Sequence, residues 1–341
     1  MFSWSLIIKM TKKKPIIIWL FSGCFLIFIL VIVGGITRLT DSGLSMVNWS
    51  LFMGAVPPLN EIEWQETFNL YKQSPEFNKI NFNYTLEDFK YIFFWEYIHR
   101  MIARVLGLVF IIPFIYFLIK KWLNRKLIFQ SIILFLLGSL QAFFGWWMVK
   151  SGLVDKPDVS HYRLAIHLIT AFLTCSYTLW VALPIALPSF GKENKKMFVN
   201  FSILLILVIV QIIYGAFIAG LKAGKLYPTW PKMGEEWLPE SVFLNAGAQA
   251  QFIHRILALV IIFFTIYIWK KTRIIKLIKT QHTMVNIVLL IVLIQSLIGV
   301  LTLIMSVPIS LALTHQLFAF LLLMSIIFCL FLFKPKIKTY Q

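Results

Sequence analysis

Acidic residues are scarce in this chain. Its 341 residues include only 14 Asp and Glu against 32 Lys and Arg, and charged residues of both signs make up 13% of the whole. Set against 60% hydrophobic residues and a mean hydropathy of +0.83, so thin a polar complement cannot cover a soluble protein of this size. Cysteine is rare as well: Cys24, Cys175 and Cys329 all fall inside apolar runs. Without a CxxC pair or framework spacing, a disulfide scaffold and a dithiol redox motif are both excluded, and small buried hydrophobic thiols are the ordinary reading. Extended polar sequence is limited to two loops, 37–90 and 221–249, which leaves no room for a separate soluble catalytic domain. Any chemistry belongs to the apolar segments and these loops.

What is abundant is apolar sequence of membrane length. A helix needs about 20 apolar residues to cross a bilayer, and the stretches 15–36, 93–119, 127–148, 163–187, 198–220, 250–270, 284–305 and 308–333 qualify. The expected fold is an all-α integral membrane protein with eight transmembrane helices. The first stretch follows Lys12, Lys13 and Lys14 as a signal peptide would, but it has no small-x-small cleavage site and is read as an uncleaved span. With the N-terminus cytoplasmic, the cytoplasmic loops and both tails carry 19 Lys and Arg and one acid, Glu193, while the outer segments carry 10 Lys and Arg and 12 acids. That is the positive-inside pattern, with both termini cytoplasmic. The basic excess orients the chain and attracts membrane lipid; it requires no nucleic acid partner.

The sequence repeats. Glu96-Tyr-Ile-His99-Arg100-Met-Ile-Ala103 recurs as Gln251-Phe-Ile-His254-Arg255-Ile-Leu-Ala258, and Arg163-Leu-Ala-Ile-His167 is echoed by Ser310-Leu-Ala-Leu-Thr-His315. Gln-x-x-x-Gly appears as Gln141/Gly145, Gln211/Gly215 and Gln295/Gly299; the first span has Gly34 and Gly43 at the nine-residue separation of Gly215 and Gly224 but no such Gln. The pattern predicts two tandem four-helix bundles, 1–190 and 191–341. Four being even, both enter the membrane from the same side and are related by a pseudo-two-fold axis along its normal, with equivalent sites at one depth.

Four of the six histidines, His99, His167, His254 and His315, stand once each at the outer end of the even-numbered spans. One intramembrane histidine is ordinarily a hydrogen-bonded packing residue. Four at repeat-related positions point to function, because polar groups in hydrocarbon are costly. Facing helices that each give one imidazole make a bis-histidine haem cage. Each has alanine at i+4, on the same helix face: Ala103, Ala171, Ala258 and Ala319. Those alanines leave room for a flat macrocycle or simply favour helix packing; the loop residue His161 has Ala165 at the same spacing. Zinc or a di-metal centre would add carboxylates beside the histidines, and only one candidate exists. His282 lies among cytoplasmic lysines and reads as solvated.

That one carboxylate is Glu96, three residues before His99, where the second half has Gln251. It is either a proton acceptor or the partner of Arg100 or Arg163 in a salt bridge. Arg100 and Arg255 directly follow ligand candidates. They either pair with haem propionates or, pointing about 100° away around the helix, snorkel to the interface.

Several of these segments carry a family resemblance. Gly34-Gly-Ile-Thr-Arg-Leu-Thr-Asp-Ser-Gly-Leu-Ser45, Pro57-Pro58, Glu96-Tyr-Ile-His-Arg100, Gly145-Trp-Trp-Met-Val-Lys-Ser-Gly-Leu153, Tyr162-Arg-Leu-Ala-Ile-His167, Ala219-Gly-Leu-Lys-Ala-Gly224 and Thr314-His-Gln316 resemble haem A synthases of the mitochondrial and alphaproteobacterial kind. The resemblance covers nearly the whole chain. It implies oxidation of the C8 methyl of haem O to a formyl group, giving haem A for cytochrome oxidase, in the cell inner (plasma) membrane. It further implies that His99 and His167 hold the substrate haem O, that Glu96 assists catalysis, and that His254 and His315 ligate a resident haem b. Haem O synthase and an electron-transfer partner are the candidate partners, and an oligomer is compatible with the pattern. Two departures stand out: the cysteine pair that some bacterial relatives carry in the first outer loop is missing, which excludes a thiol relay there, and Pro228 replaces Asn in a Tyr-Asn-Thr-Trp-Pro stretch. The rival readings are a di-haem b-type cytochrome passing electrons from quinol, which the Glu96/Gln251 asymmetry disfavours, and a transporter with a histidine proton relay, which would be colourless.

Overall fold

The computed structural model describes residues 4–47, 56–154, 157–188 and 191–335, with side chains from residue 13 onward. The cytoplasmic position expected for the chain ends falls on 1–3 and 336–341, which lie outside the described residues, as does the Lys12 side chain. Eleven α-helices occur among the described residues: α1 (Trp4–Leu39), α2 (Glu61–Tyr71), α3 (Pro75–Lys79), α4 (Leu86–Ile119), α5 (Arg125–Lys150), α6 (His161–Ala186), α7 (Lys195–Gly220), α8 (Ser241–Leu244), α9 (Ala246–Arg273), α10 (Lys279–Ile304) and α11 (Ile309–Phe333). Eight are long and apolar enough to cross a membrane: α1 from Lys13, α4, α5, α6, α7, α9, α10 and α11. The chain is thus a multi-pass membrane protein, with the eight spans its hydropathy predicts.

Helix starts follow capping chemistry. Thr85 and Asp88 form a reciprocal capping box, the Asp88 N–H donating to Thr85 Oγ1 at 3.3 Å and the Thr85 N–H to Asp88 Oδ2 at 2.9 Å. This begins α4 at Leu86, a turn or two before its apolar stretch. Asn124, Asn194 and Asn245 cap α5, α7 and α9 in the same manner, each side-chain oxygen accepting from first-turn N–H groups.

By packing, the chain divides into two compact units, Ser22–Ala171 and Met1–Phe21 with Phe172–Gln341, with boundaries inside α1 and α6. In the first, the segment between α1 and α4, expected as a plain loop, contains α2 and α3. They close over an aromatic cluster in which Tyr71 stacks on Phe89 at 5.0 Å and Trp64 meets Phe93 edge-on at 5.1 Å. The buried Tyr71 hydroxyl donates to Glu76 Oε2 at 3.0 Å and accepts from Asn81 Nδ2 at 2.9 Å. Burial, then the Glu76 carboxylate, hold the phenol well above its usual pKa, so it stays a neutral donor. Period-2 and period-3.6 reading misses this layer because its apolar residues are too sparse for a span.

In the second unit, α7 packs on α9 and α11, and α10 packs on the same two, so α9 and α11 stand on a diagonal of a four-helix bundle. Leu204, Val208, Val288, Val292, Leu323 and Ile326 fill its core. At the end of the bundle where α10 begins, the Gln281 amide donates to the carbonyls of Lys192 at 2.7 Å and Leu332 at 3.0 Å. Gly191 there has φ +95°, and a Cβ would fall 2.3 Å from the Leu332 carbonyl oxygen, so only glycine fits.

Candidate functional site

The diagonal helices of the second unit bring His254 (α9) and His315 (α11) together, with ring centroids 6.3 Å apart and planes at 65°. Each ring rests on a glycine of the preceding span. A Cβ on Gly215 would lie 3.3 Å from His254 Cε1, and one on Gly299 would lie 2.8 Å from His315 Cε1. His254 Nδ1 is 3.1 Å from the Gln211 carbonyl, which can only accept, so Nδ1 carries the proton and Nε2 keeps its lone pair. The first unit repeats the arrangement. His99 (α4) rests on Gly34 (α1), whose Cβ would meet Cε1 at 2.9 Å, and His167 (α6) rests on Gly145 (α5), at 3.2 Å.

All four rings turn Cε1 to their glycine, with Nδ1 next in His99, His254 and His315, while in His167 Nδ1 and Nε2 are equally far at 3.8 Å. Nδ1 of His99, His167 and His315 is buried without a hydrogen-bond partner. Yet each of the four residues stays only partly buried. In His99, His167 and His254 the edge left open is the one bearing Nε2, the atom suited to bind a metal, whereas His315 Nε2 lies 3.4 Å from Gln295 Nε2. The glycine seats are the functional residues that sequence reasoning missed: Gln-x-x-x-Gly was visible as a repeat, but which side chain the glycine faces is a long-range fact. A test follows directly. Gly299→Ala and Gly34→Ala should each lower pigment bound per polypeptide, through an overpacking cost of about 1–3 kcal/mol at the ring. Gly107→Ala and Gly138→Ala, where a Cβ meets nothing within 4 Å, should not. Equal pigment in all four would show the seats to be incidental.

Glu96 is almost fully buried. Its Oε2 accepts from the Ser45 hydroxyl at 2.7 Å and the Met46 N–H at 2.9 Å, while Oε1 takes the Arg100 guanidinium in an i,i+4 ion pair. Arg100 also reaches the Met46 carbonyl at 3.3 Å. Of the two salt-bridge partners open in the sequence, the structure has Arg100; Arg163 instead donates to the Trp147 carbonyl at 2.7 Å and lies over the Trp147 ring. In the second unit, Arg255 donates to the carbonyls of Tyr227 at 2.8 Å and Lys232 at 3.1 Å, and Gln251 to that of Tyr227 at 3.2 Å. Both halves thus use the residue three before the histidine and the arginine after it to hold the outer loop that follows the preceding span.

The His254/His315 pair fits a bis-histidine haem. Two imidazoles on opposite sides of one iron, each with about 2 Å from nitrogen to metal and about 1.1 Å from nitrogen to ring centre, have centroids about 6 Å apart, against the 6.3 Å found. Among the described residues no group of three or more His, Cys, Asp or Glu is arranged to hold an ion, so the closed cage of a structural zinc is not built. A macrocycle brings its own four ligands and asks the protein only for axial ones. A family model described as cytochrome oxidase assembly protein, COX15-CtaA, matches residues 17–327. The chain belongs to this family. Similar COX15-CtaA relatives include a protein named heme A synthase from Flavobacterium psychrophilum, 48% identical over 92% of this chain and 96% of its own. Others of that name come from Nitrosospira multiformis, 42% identical over 92% of both chains, and Wolbachia pipientis, 41% identical over 91% of this chain and 90% of its own.

Proposed function

We propose that this protein is a haem A synthase, a membrane oxidoreductase that converts the C8 methyl of haem O to the formyl group of haem A for cytochrome oxidase. The observation that carries the reading is the repeated seat: four imidazoles, each pressed on a glycine, in a chain whose relatives bear that name. The relatives favour this over a di-haem cytochrome fed by quinol.

In this reading His99 and His167 hold the substrate haem O, and His254 and His315 hold a resident haem b. The latter, when bound, supplies a one-electron acceptor for a conversion that removes four electrons from the methyl carbon. The chain's own residues position and deprotonate. The glycine seats fix the imidazole planes, and the Gln211 carbonyl fixes the His254 tautomer. Glu96, one turn from His99 and held by three donors, is the group that accepts protons at the substrate side. Arg100 and Arg255 hold the outer loops over the sites, and beyond that role we assign them to the haem propionates, for which a guanidinium fork is well shaped.

We assign the two halves, 1–190 and 191–341, to the substrate and the resident haem respectively, in the cell inner membrane with both termini cytoplasmic. Haem O synthase is the proposed source of substrate, and a separate electron carrier the proposed acceptor. A reporter fused after Lys121 or Lys271 should then be cytoplasmic, and one near Lys72 exported; the reverse pattern would discard this orientation. The function itself is tested by extracting pigments from membranes that express the chain with a haem O source. Haem A is the expected product. Unmodified haem O in a stably assembled, coloured protein would overturn the reading.

A further inference from the structure

Within Ser22–Ala171, three buried side-chain nitrogen or oxygen atoms have no hydrogen-bond partner among the described residues. Two are Nδ1 of the seated histidines, His99 and His167. The third is the indole Nε1 of Trp95. Trp95 precedes His99 by four residues on α4, so the two share a helix face, with Trp95 one turn nearer the helix start. Its backbone is tied to the helix that seats His99. The Thr37 hydroxyl of α1 is shared between the Val33 carbonyl of its own helix, at 2.8 Å, and the Trp95 carbonyl, at 3.2 Å. The Phe94 ring meets the indole edge-on at 5.4 Å. In the second unit the repeat puts Ala250 at this position, directly before Gln251, buried and without a side-chain donor.

We propose that Trp95 is a substrate-positioning residue of the first half, its indole N–H donating to a propionate carboxylate of the substrate haem. The proposal rests on the haem reading above and adds a recognition group that the resident site lacks. An indole nitrogen can only donate, and a buried donor left unmet is destabilising, whereas phenylalanine would fill much of the same space without one. The donor stands on the face of a proposed axial ligand, so the acceptor that suits it belongs to the macrocycle. Of the groups around a haem's edge, the propionates are the anionic acceptors. The end of α4 where Trp95 stands adjoins the polar segment that carries α2 and α3, where a carboxylate is least costly. Arg100 has its Nη2 already bonded to Glu96 and the Met46 carbonyl, which leaves a place for a second donor.

The test uses full-length protein purified from cells that make no haem O, titrated with haem O in detergent and followed by absorbance. Trp95→Phe should weaken haem O binding about ten- to hundredfold, the effect of one hydrogen bond to a charged acceptor. With haem O dimethyl ester, whose carbonyls accept without the charge, the loss should shrink to about two- to fivefold. A merely structural tryptophan would weaken both ligands alike. Should Trp95→Phe accumulate poorly, β-(3-benzothienyl)alanine at position 95, which replaces the N–H by sulfur in nearly the same shape, takes its place. Equal haem O affinity in native and variant, or equal losses with acid and ester, overturns the proposal. His99→Ala, run alongside, separates this from failure of the haem reading. It should abolish the titration, whereas a native-like titration in that variant, or none in the native chain, would remove the first-half site itself.

Discussion

Purified His254→Ala and His315→Ala proteins should each lose most of the low-spin haem absorption expected of the native protein under the proposed ligation. The two rings lie 6.3 Å apart, a gap that one iron would span, and among the described residues no group of three or more His, Cys, Asp or Glu is arranged around them. Removing one imidazole therefore leaves a five-coordinate iron or none at all. His282→Ala, at the start of α10, where the imidazole expected to be solvated instead has its Nδ1 buried without a hydrogen-bond partner, serves as the matched loss of a histidine and should leave the spectrum intact. A full low-spin signal in both ligand variants would dissolve the assignment of the second-half site.

The second large effect is expected at Glu96. Glu96→Gln should leave the spectrum of the proposed haem b as it is and cut haem A formed per molecule by at least about a hundredfold, the scale on which a positioned proton acceptor contributes. The amide keeps an oxygen for Ser45 and Met46, but its NH2 then faces the Arg100 guanidinium donor to donor, so the ion pair is lost. Breaking a buried pair costs about 3–5 kcal/mol when one charge is left without its partner. Arg100 retains the Met46 carbonyl, which softens that loss. If the carboxylate serves only to hold Arg100 and the loop, protein yield should fall while surviving molecules make haem A at the normal rate. Unchanged yield with unchanged haem A output would sink the catalytic and the structural readings together.

Much of this was legible before any coordinates. Eight spans could be counted because membrane length is a local property, written in some twenty consecutive residues. The four histidines stood out because a polar residue in an apolar run is visible without knowing its neighbours. What stayed hidden depends on residues distant in sequence. That Gly34 is the seat of His99, 65 positions on, follows from the packing of α1 against α4, and no periodicity announces it. Glu96 could be matched to Arg100 by helix spacing alone, but its bonds to Ser45 and Met46 come from a loop folding back about fifty residues. The carbonyls of Tyr227 and Lys232 that receive Arg255 are backbone atoms, on which side-chain identity gives no hint. The α2 and α3 layer was missed for a different reason: it gives the cluster single aromatic residues, Trp64, Phe68, Tyr71 and Phe77, each too isolated to count as apolar sequence.

The seating of each histidine on the neighbouring span widens the set of lesions that can bleach this protein. α1, α5, α7 and α10 supply no proposed axial ligand, yet each carries a position where one added methyl group pushes directly on an imidazole. A survey of loss-of-colour mutants should therefore return glycine substitutions on these ligand-free helices about as often as changes at the histidines themselves. Read by donor chemistry alone, such variants would be filed as folding defects. Their signature would instead be a protein that accumulates normally, inserts in the membrane, and is pale.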